Sequence, residues 1–280
     1  MDMKNMYIIK EDIFNKYGSL VVAKGTRLIL DNTTIDRLSR MGIDISRIAE
    51  GLGSNNIEAK EKNKMEEVGK KLFKESSIIE RLQLRDKSFV ESARVVEDVI
   101  RGSSIEIKTY LKNFYNALPW YYTHSVNVSI IAAFIARKLN YKEEIIKDIV
   151  IGALLHDIGM MGVSNDSSLG TGKSLEELQD RNLKKHCEIG YGIVINSKIP
   201  PISKRIILQH HELMDGSGYP NMLTERDIEA TSKIVLVADI FDLETYFSKG
   251  QCANTIIRGM IEDNRRYPSS YVRYLLGVFK

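Results

Sequence analysis

His156-Asp157-Ile158-Gly159 and the distant segment His210-His211-Glu212 are the most informative parts of this sequence. The chain contains five histidines, and each falls in a predicted helix or at a helix end: His124, His156, His186, His210 and His211. A neutral imidazole offers a lone pair to a metal ion, and a carboxylate can bridge two metal ions. One histidine on an apolar face is more often a packed core residue, but the concentration of the whole set favours ligands. Five imidazoles, Asp157 and one further carboxylate would form a site for two metal ions.

The composition is that of a globular protein with an ample core. The 280 residues are 43% hydrophobic and 28% charged, which favours neither a disordered nor a membrane protein. The net charge of +3 is small and the charges are interleaved, so nucleic acid is not an expected partner. Apolar runs such as 149–155 are too short to span a bilayer, and residues 1–14 lack the apolar stretch of a signal peptide. Cys187 and Cys252 show no disulfide framework, so we expect free thiols and a cytoplasmic location.

Three regions are predicted along the chain. Residues 1–52 form a small mixed α/β module, in which residues 19–29 have the pattern of a short hairpin and Asp31 caps a short helix. Residues 53–109 form a helical connector. Its helices either link the module to the rest of the chain, with a surface that could form a homodimer, or pack on their own domain. Residues 110–280 form the main domain, which is predicted to be nearly all helix, so the fold class is mainly α.

Helical periodicity places the histidines on or beside buried helices of the main domain. His124 lies on an apolar stripe that continues to Ile135. His156 and Asp157 follow the end of a helix, with Gly159 as its C-cap. The remaining predicted elements are a helix opened by a capping box at Ser174 and Glu177 and carrying His186, a helix from Pro200-Pro201 to His210, a turn over residues 215–220 and a buried helix over residues 234–242.

Asp239 lies in the middle of the apolar segment 234–242, where an unpaired aspartate would cost several kcal/mol. A salt bridge or a helix N-terminus could provide its partner, but we favour a cation shared with His156 and Asp157. Imidazoles and carboxylates without thiolates suit Fe, Mn or Zn. Two such cations, about 3.5–4 Å apart, would polarise a phosphoryl group and lower the pKa of a shared water. The expected chemistry is therefore hydrolysis of a phosphate ester.

Six motifs occur in one order between about residues 110 and 275: Tyr121-Tyr-Thr-His124-Ser-Val-Asn-Val, His156-Asp-Ile-Gly, Lys185-His186, His210-His211-Glu212, Asp215-Gly-Ser-Gly-Tyr-Pro and Val237-Ala-Asp239. This arrangement resembles the HD-GYP family, a subgroup of the all-α HD phosphohydrolases. The resemblance implies an all-helical HD-type bundle that hydrolyses cyclic di-GMP to pGpG or GMP. It implies a water activated by two divalent transition metal ions, with Fe or Mn favoured over Zn.

The resemblance also implies roles for individual residues. The implied metal ligands are His124, His156, Asp157, His186, His210, His211 and Asp239, with Asp157 as the bridge. Asp157 and His186 are the expected catalytic residues, while Glu212 and Asp242 are expected to support the ligands from behind. Met160, Tyr219 and Lys249 are expected to face the substrate. The loop Gly218-Tyr219-Pro220 is expected to meet cyclic di-GMP synthase domains. Some members bind a third metal through a Glu one turn before the first His, where this chain has Trp120, so two metals are expected.

The chain departs from the family pattern at three places. The lysine that usually follows the His-Asp-Ile-Gly motif is Met160, which supplies no positive charge. A usual proline is Cys187, which we interpret as a helix-start variation. The arginine-rich stretch after the last aspartate is reduced to Lys249. These departures leave three hypotheses: an active phosphodiesterase, a catalytically degenerate protein that binds nucleotide or a partner protein, and a hydrolase of another phosphate substrate, against which Asp215-Gly-Ser-Gly-Tyr-Pro counts.

Overall fold

The computed structural model describes residues 86–163, 183–247 and 251–279, together with four short strands near the N-terminus. The chain divides into two compact units, residues 1–64 and residues 65–280. The predicted mainly α fold is confirmed. Among the described helices, none combines the length and the apolar character needed to cross a membrane.

The strands of the first unit pair in a nested order. β1 (Met6–Ile8) pairs antiparallel with β4 (Arg27–Ile29), and β2 (Ile13–Phe14) pairs antiparallel with β3 (Leu20–Val22). The hairpin predicted within residues 19–29 is therefore wrong in its pairing, because both of its strands join an earlier strand instead of each other. The composition of a hairpin is a local signal, and it does not show whether an earlier strand is a better pairing partner. The helix predicted after Asp31 lies outside the described residues.

Within the described part of the second unit there are ten α-helices and two short 3₁₀ turns. The helices are α1 (Lys87–Gly102), α2 (Ile105–Ala117), α3 (Pro119–Lys138), α4 (Glu143–Leu155), α5 (Met160–Val163), α6 (His186–Val194), α7 (Pro201–Gln209), α8 (Ala230–Phe247), α9 (Ala253–Glu262) and α10 (Ser269–Val272). The 3₁₀ turns are Leu183–Lys185 and Arg273–Leu275. Both α3 and α7 begin with proline. Proline is well tolerated there, because an N–H at the first helical position would have no acceptor within the helix.

The core is arranged around α3. Residues 124–136 of this helix are all buried, and α3 packs against α1, α2, α4 and α8. A helix that is apolar all round must be enclosed by neighbours, so a polar ring on it, such as His124, faces the interior. The packing of α4 against α7 and of α8 against α3 brings the other histidine-bearing segments to the same region.

The described part of the predicted connector also belongs to this core. Phe89 and Ile100 of α1 are fully buried and Ile107 of α2 is nearly so, in the same hydrophobic cluster as α3. Over these residues, packing on the main domain is the arrangement that the structure shows. The boundaries near residues 52 and 109 and the homodimer surface stay predictions.

Candidate metal centre

The helical unit brings the seven predicted ligands together. His124 comes from α3, His156 and Asp157 from the turn after α4, His186 from the first position of α6, His210 and His211 from the end of α7, and Asp239 from the middle of α8. All of them except His211 are almost completely buried. The ligands other than Asp239 form two groups, and within each group all ligand atoms lie within 4.8 Å of one another. One group is His124, His156 and Asp157, and the other is Asp157, His186, His210 and His211.

Asp157 belongs to both groups because its two oxygens face different imidazoles. Its Oδ1 lies 3.2 Å from Nε2 of His186, and its Oδ2 lies 3.2 Å from Nε2 of His156. Oδ1 is also 3.9 Å from Nε2 of His210, and Oδ2 is 3.9 Å from Nε2 of His124. Ligand atoms that each lie about 2 Å from one cation are separated by about 3 Å. The carboxylate is therefore placed to bind one cation through each oxygen.

Asp239 supplies a second carboxylate between the same imidazoles. Its Oδ1 lies 2.9 Å from Nε2 of His124 and 3.9 Å from Nε2 of His156, while its Oδ2 lies 3.5 Å from Nδ1 of His211. The buried aspartate thus has imidazole neighbours on both oxygens. A salt bridge with these imidazoles was one of the explanations considered for the buried Asp239. The same geometry leaves Asp239 in position to share a cation.

Unsatisfied atoms in this cluster fit a divalent cation. Nε2 of His156 and Oδ2 of Asp239 are buried without a hydrogen-bond partner among the described residues. Nε2 of His186 and Nε2 of His210 face each other at 3.0 Å. A buried polar atom without a partner costs about 1–3 kcal/mol, which coordination to a metal would remove. The residues present therefore fit the metal ions that the family resemblance implies.

Three of the imidazoles are oriented by the backbone of their own segment. Nδ1 of His156 contacts the carbonyl oxygen of Ala153 at 2.7 Å, and Nδ1 of His186 contacts that of Leu183 at 2.6 Å. Nδ1 of His210 contacts the carbonyl oxygen of Ile207 at 3.0 Å. A carbonyl only accepts, so each Nδ1 carries a proton and each Nε2 is the ring nitrogen that faces the centre.

His124 is oriented by a side chain instead. Its Nδ1 lies 2.8 Å from Oδ2 of Asp242, one turn beyond Asp239 in α8. Burial disfavours the charged imidazolium, but hydrogen bonds with Asp239 and Asp242 outweigh burial and raise the pKa of His124 to about 10. The proton on Nε2 is the one that a cation would displace. Asp242 therefore contacts His124 through the ring nitrogen that does not face Asp239.

Three ligands of the second group, His210, His211 and Asp157, are held in the forms that bind metals. Burial and the neighbouring imidazoles hold the pKa of His210 well below its usual range, and burial lowers the pKa of His211 to about 4. Burial alone would raise the pKa of Asp157, but the imidazoles of His156 and His186 hold it well below its usual range. Neutral imidazoles and an ionised carboxylate are the ligating species.

The carboxylate of Glu212 binds the backbone of a loop. Its Oε1 accepts from the backbone N–H of Asn221 at 2.7 Å, and its Oε2 accepts from that of Leu223 at 2.9 Å. The preceding glycine turn packs closely on the same segment, since a Cβ at Gly218 would lie 2.3 Å from the backbone nitrogen of Leu213. Glu212 thus holds the loop that carries Tyr219, and the support of a metal ligand expected for it stays a prediction.

Met160 and Tyr219 line a cleft of about 40 Å³ beside the ligands, and Lys249 lies outside the described residues. A water molecule needs about 10–15 Å³, so the cleft can hold water molecules next to the ligands. The Tyr219 ring lies 4.8 Å from the His211 ring, and Nζ of Lys184 lies 5.3 Å from the centre of the Tyr219 ring. No arginine or lysine of the described residues lines the cleft itself.

Trp120 and Lys184 are site residues that the sequence analysis did not identify as contacts. The Trp120 indole stacks on the His124 imidazole, with centroids 5.6 Å apart and planes at 10°. The four-residue spacing within α3 places both rings on one helix face and could have indicated this contact. Trp120 also borders an adjoining cleft of about 280 Å³ that reaches Asp242 and Tyr246. Lys184 follows from no periodicity, because it lies in the 3₁₀ turn before α6.

Two local predictions are corrected by the geometry around His186. Gly159 is not the C-cap of α4, since that position is His156; a Cβ on Gly159 would lie 1.9 Å from the carbonyl oxygen of His186. The glycine is required by the close approach of two backbones. His186 begins α6 directly after the 3₁₀ turn Leu183–Lys185, so the prediction that one α-helix continues through residues 183–185 is wrong. The capping box at Ser174 lies outside the described residues.

Comparisons with known proteins agree with this centre. Residues 121–244 match the HD domain family. This part of the chain is an HD domain. The HD domain fold is also seen in Bd1817, an HDG"Y"P protein from Bdellovibrio bacteriovorus, with a TM-score of 0.50 and 20% identity over 98% of this chain and 94% of that chain. The family prediction from the motifs is confirmed.

Two curated relatives are similar to part of the chain. The chain is 38% identical over 121 residues to a cyclic di-GMP phosphodiesterase of Thermotoga maritima, which covers 42% of this chain and 33% of that protein. It is 39% identical over 90 residues to the 3'3'-cGAMP-specific phosphodiesterase 2 of Vibrio cholerae serotype O1, which covers 31% of this chain and 17% of that protein. The chain thus spans a third or less of the length of these relatives.

Proposed function

We propose that the HD domain is a metal-dependent phosphodiesterase that hydrolyses cyclic di-GMP to pGpG or GMP. The observation that carries the proposal is Asp157, whose two oxygens each lie 3.2 Å from an imidazole of a different ligand group. The name of the Thermotoga maritima relative supports the substrate. Two divalent cations bound at these ligands would polarise a phosphoryl group and lower the pKa of a water molecule.

The protein groups act by positioning. Asp157 sets the separation between the two halves of the centre, and the carbonyl-bound imidazoles keep their lone pairs aimed at it. Among the proposed catalytic residues, His186 lies beside both Asp157 and the cleft. Trp120 and the partly exposed Tyr246 offer aromatic surfaces on which a guanine base could stack. Tyr219 lines the cleft, and Nζ of Lys184 lies 5.3 Å from the centre of its ring, where the positive charge would be available to a phosphate.

The test is metal analysis of anaerobically purified protein together with product detection. The protein is incubated with cyclic di-GMP, and separately with 3'3'-cGAMP, in the presence of Fe(II) or Mn(II). We expect about two metal ions per chain and release of pGpG or GMP, with no product from the Asp157→Ala variant. Less than about half a metal ion per chain after reconstitution would contradict the two-metal centre. Faster cleavage of 3'3'-cGAMP would keep the phosphodiesterase and change its substrate.

A nucleotide-binding module without turnover is the second candidate. Two observations favour it: Met160 is 2% exposed and occupies a position where the family has a lysine, and the described lining of the cleft contains no arginine or lysine. Tight binding of cyclic di-GMP by metal-loaded protein without any product would establish this function in place of the first. The same titration on the Trp120→Ala variant shows whether the aromatic wall contributes to binding.

A further inference from the structure

Cys187 is the described thiol that reaches the metal ligands. Its Sγ lies 3.5 Å from Nε2 of His186 and 4.0 Å from Nε2 of His210. The two nitrogens are themselves 3.0 Å apart, so the three atoms form a compact triangle. Cys187 is fully buried, whereas Cys252, the other cysteine, is exposed.

The triangle has the dimensions of a shared coordination sphere. Zinc binds sulfur at about 2.3 Å and imidazole nitrogen at about 2.0–2.1 Å, so its ligand atoms in a tetrahedral site are separated by roughly 3.3–3.6 Å. The observed separations of 3.0, 3.5 and 4.0 Å surround this range. A single cation could therefore contact all three atoms after shifts of a few tenths of an ångström.

We propose that Cys187 is a thiolate ligand of the cation held by His186 and His210. On binding, a sulfur–metal bond forms, the S–H bond breaks and the proton is released to solvent. Sulfur makes this half of the centre softer than the half formed by His124 and His156. Soft thiolate ligands favour Zn(II) and Fe(II) over Mn(II), so the two halves differ in metal preference. The inference rests on the proposed metal centre and does not depend on phosphodiesterase activity.

The alternative role for Cys187 is packing, since free cysteine is often buried as a small apolar residue. Packing alone does not explain why the sulfur lies beside two nitrogens that already present lone pairs to a cation. The residue usual at this position in the family, proline, has no ligand atom. The thiolate ligand would therefore be a property of this chain.

The direct test is the optical spectrum of the full chain loaded with Co(II). Thiolate bound to Co(II) gives an intense near-ultraviolet charge-transfer band that nitrogen and oxygen ligands do not give. We expect the band in the wild-type protein and in the matched control Cys252→Ser, and its loss in Cys187→Ser. The ratio of Zn(II) to Mn(II) affinity should also fall at least about tenfold in Cys187→Ser.

Each other outcome has a defined meaning. Two bound Co(II) ions without the band, or a band that persists in Cys187→Ser, would overturn the thiolate ligand and leave the proposed function standing. Failure of the wild-type chain to bind any Co(II) or Zn(II) would overturn both. If Cys187→Ser does not fold, X-ray absorption of the zinc-loaded wild-type protein decides: a sulfur neighbour at about 2.3 Å supports the ligand, and a shell of nitrogen and oxygen alone overturns it.

Discussion

At the scale of single residues, Asp157 connects the two halves of the centre. Asp157→Ala should reduce bound metal from about two ions per chain to less than about half an ion, because each half loses its shared ligand. Elemental analysis after reconstitution measures this. Asp98→Ala, which removes an exposed carboxylate on α1, is the control and should retain both ions. Full metal content in Asp157→Ala would show that the bridge lies elsewhere.

Met160 tests whether the cleft lacks a positive charge. Met160→Lys should raise turnover of cyclic di-GMP at least about tenfold, since one preorganised charge near the reacting phosphate is typically worth about 10²–10³ in rate. The Met160 side chain is buried but lines the cleft, so the ammonium group of a lysine at this position could extend toward the polar residues of the cleft. Met161→Lys, on the same short helix but outside the described cleft lining, is the control. Unchanged turnover and metal content in Met160→Lys would favour the binding module.

At the scale of elements, Glu212 joins the end of α7 to the loop that contains Tyr219. Glu212→Gln removes one acceptor and the charge, so one backbone N–H of the loop loses its charged partner. The free energy of unfolding should fall by about 1.5–3 kcal/mol while metal content is kept. Thermal unfolding and elemental analysis together measure this, with the exposed Glu225→Gln as control. Metal loss as complete as that of Asp157→Ala would show that metal binding itself requires Glu212.

The contact between the turn after α4 and α6 depends on a missing side chain. Gly159→Ala would place a Cβ 1.9 Å from the carbonyl oxygen of His186, so α6 must move away and take its ligand with it. We expect marked destabilisation and loss of metal. Gly192→Ala in the same helix meets nothing within 4 Å and should be neutral or stabilising by about 0.5–1 kcal/mol. Denaturant unfolding of both variants checks the contrast, which equal stabilities would contradict.

At the scale of the whole molecule, the centre joins segments that are distant in sequence. Ligands come from α3, α6, α7, α8 and the turn after α4, so a cation binds the folded chain and not the unfolded one. A free metal concentration 100 times the Kd should add about 2.7 kcal/mol per site to the free energy of unfolding. Thermal unfolding with and without a chelator measures this. The shift should disappear in Asp157→Ala, and a persistent shift would indicate metal binding elsewhere.

The sequence was sufficient to predict the parts of this architecture that depend on local pattern. The apolar stripe around His124, the helix that ends before His156 and the buried helix around Asp239 all follow from helical periodicity. The motif order predicted the HD domain, which is confirmed. Contacts between segments could not be predicted in this way. The tight approach at Gly159 and the loop held by Glu212 depend on how helices cross, which no local pattern encodes.

The same limit applies to the N-terminal strands and to the far side of the centre. The two strands within residues 19–29 follow from the local sequence, but the choice of their partners depends on two earlier strands that were not predicted. The position of Cys187 beside His210 required the packing of α6 on α7. A sequence with one cysteine next to a histidine gives no indication of which way the sulfur points.

The three carbonyl contacts of His156, His186 and His210 have a consequence for how this centre can change. Each ring is held by the residue three positions before it, so the histidine and its support travel together on one short peptide. No exchange of amino acid type at the supporting position deletes a main-chain oxygen. Mutation can therefore retune the basicity of His124 through Asp242, whereas the three carbonyl-held rings keep their aim as long as the local backbone is retained. Among these four rings, His124 is therefore the one whose support a single substitution can remove.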